Sequence, residues 1–127
     1  MIDTEVFKYE DSRLKDLYKF LKSKGYSVYW PAQHQGDCTS PYIVVKYNGT
    51  SGQLMDISSR ADIYSLLCYV PFNQYSYIEE YIQKVKSDMK ELEPLLLVYG
   101  DLQLPTYFDD ANKGHYIEID YKNYKYD

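Results

Sequence analysis

The order of apolar and polar positions divides the chain into two helices and a run of strands. Leu14, Leu17, Tyr18 and Leu21 recur at the i, i+3, i+4, i+7 spacing of one helical face, predicting a helix from a cap at Ser12 to Lys24. Lys19, Lys22 and Lys24 suit its C-terminal end, and Gly25 stops it. Tyr26, Val28 and Trp30 then alternate with Ser27 and Tyr29 as a strand that Pro31 ends. A polar loop leads through Pro41 to the apolar strand Tyr42–Tyr47, and Asn48-Gly49 marks a turn, drawn out by Thr50, Ser51 and Gly52. Ala61–Val70 is apolar on both faces, which predicts a central strand, closed by Pro71.

Ser76 and Glu79 have the spacing of a capping box opening a second helix. Ile78, Ile82, Val85, Met89 and Leu92 run down one side of it, and Pro94 ends it. A short apolar strand, Leu95–Tyr99, and a turn-rich loop, Gly100–Gly114, follow. In the last strand, His115–Tyr126, Ile117, Ile119 and Tyr121 share one face while Glu118, Asp120 and Lys122 share the other. The order α, β, β, β, α, short β, β predicts one α+β domain over residues 1–127, with an antiparallel sheet of about four strands and two helices on one face.

Charge and composition narrow the function classes. A net charge of −5, with only Arg13 and Arg60 as arginines, argues against tight nucleic-acid binding, which needs clustered cations. No apolar run approaches the roughly 18 residues that cross a bilayer. The acidic N-terminus lacks a signal-peptide pattern, so synthesis and retention in a cytoplasm are expected. Cys38 and Cys68 are too few for a disulfide scaffold. The outlier is tyrosine, with 17 copies against one Trp and four Phe. A ring with one wet end suits half-buried sheet faces and protein interfaces.

Candidate chemistry is thin. Asp109-Asp110 are adjacent and diverge, so they are expected to cap turns rather than bind a metal or exchange protons. His34, Asp37, Cys38 and His115 lack zinc-ligand spacing, and no local motif makes a Cys–His nucleophile of them. No glycine-rich phosphate cradle is present. The chain therefore reads as a binding or assembly protein, without catalytic, cofactor or metal residues, rather than an enzyme.

The segment Leu104-Pro105-Thr106-Tyr107-Phe108-Asp109-Asp110, then Lys113-Gly114-His115 and Ile117–Lys125, resembles the ending of small virion proteins of tailed phages and prophages of Gram-positive bacteria. These are often labelled minor capsid proteins and belong to the head–tail joining and tail-completion group. The strand closing on Val70-Pro71 and the helix after Ser76 are also similar. Leu104-Pro105-Thr106 replaces the usual Thr-Pro-Ser, Tyr116 a usual Met, and Lys122 a common Arg. The resemblance implies a tail-terminator or neck protein of the virion, an α+β subunit that closes into a hexameric ring. Such a ring ends tail-tube growth and meets the head–tail connector, with a tail sheath as neighbour if the tail is contractile; in a headless particle it acts as the collar. DNA would only pass through its lumen, sliding along an acidic wall.

On that reading Tyr121, Asn123, Tyr124 and Tyr126 are expected to contact a neighbouring subunit along a strand edge, and Tyr107, Phe108, Asp109 and Asp110 to line a ring or tube contact. The alternatives are a head-completion stopper of the same neck, a small acidic inhibitor or immunity-type protein, and a small hydrolase, which would need His34 or His115 to converge with Cys38 in a pocket.

Overall fold

A computed structural model describes residues 12–53, 56–92, 98–103 and 105–126. The apolar stripes read from the sequence become one core between a mostly antiparallel sheet and two helices, an α+β architecture. Helix α1 spans Ser12–Ser23 and buries Leu17 and Leu21. Its end is a Schellman turn: the Gly25 N–H donates to the Lys22 carbonyl and the Tyr26 N–H to the Leu21 carbonyl. Gly25, at φ +94, supplies the left-handed residue this turn needs.

Strand β1 is only Val28–Tyr29 and runs parallel to β2, Tyr42–Gln53. β2 pairs antiparallel with the 16-residue β3, Asp56–Pro71. A 3-10 segment, Phe72–Tyr77, leads into helix α2, Ile78–Met89. β4, Val98–Gln103, and β5, Tyr107–Asp109, both pair with β6, Gly114–Tyr126. The strand order is β1-β2-β3-β6-β4, with β5 also on the outer side of β6.

Alternation sorts the sheet residues by face. Val28, Ile43, Val45, Tyr64, Leu66, Cys68, Val70, Ile117, Ile119 and Tyr121 meet both helices in the core. Every member of the predicted α2 stripe, from Ile78 to Leu92, is buried there. The helices are joined to each other as well, Lys24 to Glu91 at 2.7 Å and the Tyr26 hydroxyl to Asp88 at 2.5 Å.

Four expectations change. Asn48-Gly49 is not the hairpin turn: β2 continues past it to Gln53, and the two residues form a β-bulge, falling between the pairs Tyr47↔Tyr64 and Thr50↔Asp62. The Ser76–Glu79 capping box does not form. Ser76 lies inside the 3-10 segment, and Tyr77 precedes α2 with no side-chain cap bond. The predicted loop Gly100–Gly114 carries most of β4 and all of β5. Finally, β6 is an interior strand, paired along its length with β3 on one side and with β4 and β5 on the other. The expected Ser12 side-chain cap, the helix stop at Pro94 and the start of the strand at Leu95 lie outside the described residues and side chains.

Candidate assembly surface

The sheet face turned away from the helices is tyrosine-rich because successive strands place aromatics at the same level. Tyr42 pairs with Tyr69, Tyr69 with Tyr116, and Tyr116 with Tyr107. Their rings form a ladder whose centroids lie 4.7, 5.0 and 5.8 Å apart, the last pair tilted. His34 extends it at the other end, stacked 4.3 Å from Tyr42, with Tyr29 edge-on to both. Such cross-strand pairs hold an open sheet face together without a second layer. Tyr42 and Tyr69 are buried, and Cys38 from the polar loop packs on them.

One carboxylate fastens the free end of this ladder. Asp109 Oδ1 accepts the Ala111 and Asn112 backbone N–H groups, at 3.1 and 3.2 Å. Its Oδ2 accepts the Asn112 side-chain amide at 2.8 Å and the Tyr69 hydroxyl at 2.9 Å. Burial pushes its pKa up, but these bonds outweigh burial and hold it below the ordinary carboxylate value. Burial, then Asp109 itself, raises the Tyr69 phenol, which stays a donor.

The turn is tied to two further segments, the Cys38 N–H donating to the Asn112 carbonyl and the Phe72 N–H to the Lys113 carbonyl. At Gly114 a Cβ would lie 3.0 Å from Cys38 Cβ and 3.1 Å from the Val70 carbonyl oxygen, so a side chain there would press on both neighbours. Asp109 is thus a turn organiser, as expected of an aspartate in a turn-rich loop. Asp110 is exposed and pairs with Lys113, at 3.6 Å.

What the turn holds in place is aromatic and open. Tyr107 and Phe108 point to opposite faces of β5 and are 50% and 48% exposed. Phe108 lies against His115, whose ring also meets Tyr75 edge-on. Phe72 and Tyr75, on the 3-10 segment, are exposed as well, at 60% and 52%, and Tyr75 meets the same His115 ring as Phe108. Among the described residues, five of the six exposed large apolar side chains lie in that segment or in β5, Tyr47 being the sixth. Next to the patch, where the outer edge passes from β4 to β5, is a cleft of about 290 Å³ floored by Ile78, Ile82 and Ile117. Gln103 and Thr106 form one wall and Glu79 with Gln83 the other. Phe72 and Tyr75 gave no signal as site residues in the sequence, because an aromatic before a helix reads equally well as core.

The remaining expected contacts fare differently. Tyr121 faces the helices and is 5% exposed, so its ring belongs to the chain's own core rather than to a surface. Asn123, Tyr124 and Tyr126 lie on β6, with side chains outside those described. β6 as far as Asn123 cannot serve as a free edge, since β4 or β5 already flanks most of it.

The groups considered for chemistry do not converge. Burial raises the Cys38 thiol to about 11, and its S–H donates to the Ser40 carbonyl. A thiol held protonated in this way is a poor nucleophile. Cys68 is wholly buried in the core. His115 is half-buried between the rings of Tyr75 and Phe108, whereas His34 stacks on Tyr42. Among the described residues no three His, Cys, Asp or Glu groups gather as metal ligands, and no helix is long and apolar enough to cross a membrane. Comparison with protein-family models and with curated proteins yields no match.

Proposed function

We propose that the chain is a structural subunit of a phage neck, a tail-terminator-like protein that closes into a hexameric ring, ends the tail tube and meets the head–tail connector. The observation that carries this reading is the exposed aromatic corner formed by Tyr107, Phe108, Phe72 and Tyr75. Half of it lies within the segment whose wording resembles that family of virion proteins. A ring needs heterologous contacts, one patch meeting a different patch on the next copy, and an aromatic corner on a short edge strand is a suitable donor patch.

The α+β architecture with helices on one face is the one that the resemblance implies. The contact differs from the sequence expectation in its place. It centres on β5 and the 3-10 segment, with Tyr121 excluded, and Asp109 shapes it from behind. An acidic subunit would let DNA pass its lumen without adhering.

Native mass spectrometry of the chain, alone and mixed with purified tail tubes, tests the proposal. A six-fold species that caps tube ends is expected. A species that stays monomeric or dimeric and ignores tubes would overturn it, and would favour a small acidic inhibitor.

A further inference from the structure

We propose that Asn48-Gly49 is a self-modifying site, at which Asn48 deamidates and places a new carboxylate beside Ser65, Asp120 and Glu118. Four asparagines occur in the chain, and only Asn48 is followed by glycine. The reaction needs the backbone nitrogen of the next residue to reach the asparagine Cγ, and a glycine offers no Cβ to obstruct that approach. The Gly49 nitrogen loses its proton to solvent base and attacks Cγ of Asn48. The Cγ–Nδ2 bond breaks as solvent acid returns a proton to Nδ2, ammonia leaves, and a five-membered succinimide remains. Water then opens the ring at either carbonyl, giving aspartate or isoaspartate, with no change of oxidation state.

A regular strand would hold both residues too firmly for this. Here Asn48 and Gly49 oppose the single residue Ile63, outside the register of the ladder. Gly49 sits at φ +90 with open space around it, and Asn48 is exposed. One contact restrains the amide: Asn48 Nδ2 donates to Ser65 Oγ at 3.2 Å. Asn112 is the internal contrast. Its Nδ2 donates to Asp109 at 2.8 Å, its N–H to the same carboxylate, and Lys113 follows it.

The product would land in a crowded place. Ser65 is fully buried and its single hydroxyl proton goes to Asp120 Oδ1 at 2.6 Å, leaving Glu118 at 3.4 Å without it. Burial, then Asp120, already raises the Glu118 carboxyl, with Lys46 as the opposing cation. Conversion of Asn48 removes a donor to Ser65 and adds a third acidic group. The modified protein is therefore expected to loosen at the middle of β2 and β3.

The test incubates the folded protein at mildly alkaline pH and quantifies aspartyl and isoaspartyl products by peptide mass spectrometry, beside the excised peptide 47–60. Conversion at Asn48 with Asn112 intact is expected, several-fold faster in Ser65→Ala, and none at that position in Asn48→Gln. Asn48→Asp should melt below the parent at neutral pH. An Asn48 left intact in the folded chain after the free peptide has converted fully would overturn the proposal. So would equal rates in the parent and a folded Ser65→Ala.

Discussion

At the scale of single residues, Asp109 has the largest consequences for its size. Four donors converge on its two oxygens, and they come from its own turn and from β3. Asn at this position keeps one acceptor oxygen and turns an N–H₂ toward two of those donors, whichever way the amide is placed. The Tyr69 hydroxyl or the turn's own N–H groups then lose their partner, which costs about 1–2 kcal/mol for this half-buried site. Asp109→Asn should lower stability by that amount at pH 7, measured by urea denaturation. The sign of its pH dependence follows from the depressed carboxyl. Its contribution is complete above the unfolded-state value and is lost as pH falls through the folded one, so the gap between parent and variant should close below about pH 4. A gap that stays constant into strong acid would show that the ionised carboxylate is not what holds the turn.

At the scale of elements, the start of α2 separates pattern from structure. Ser76 and Glu79 have the right spacing for a capping box, but Pro71 is followed by a 3-10 segment, so Ser76 sits inside helical backbone instead of at its boundary. A true N-cap serine is worth about 1 kcal/mol. Ser76→Ala is expected to change stability by under about 0.5 kcal/mol, checked by thermal and urea unfolding, because no cap bond is there to lose. The long amphipathic elements were legible because burial imposes their period: the α1 and α2 stripes and the β6 alternation all lie on the core side. Short elements carry no such signal. β1 has two residues and β5 three, and each exists because a longer neighbour offers it a ladder. Asn48-Gly49 misled for a related reason, since a positive-φ glycine serves a bulge as well as a turn. The candidate site was half legible. Tyr107 and Phe108 stand out beside a turn, whereas Phe72 and Tyr75 join them only through tertiary contacts with His115 and Lys113.

At the scale of the whole molecule, the two ends of the tyrosine ladder differ in kind. The His34 end is closed over by the polar loop and by Tyr29, whereas the Tyr107 end stops at a strand edge with half its ring exposed. A chain that left this corner to water would gain little from four large aromatic side chains there, and polar replacements would cost its own core almost nothing. That asymmetry separates assembly from folding. Phe72→Ser combined with Phe108→Ser should leave a folded subunit, with far-ultraviolet circular dichroism unchanged and stability reduced by about 1 kcal/mol for the half-buried part of Phe108. If the proposed ring forms, the same pair should abolish its six-fold species and tube capping. Tyr47→Ser supplies the contrast, since Tyr47 is equally exposed, at 47%, but lies on β2. It is expected to leave assembly intact. Sedimentation velocity on the three proteins decides the matter: rings that survive the double serine variant, or fall apart equally with Tyr47→Ser, would remove the β5 corner from the interface and leave the aromatic surface unexplained.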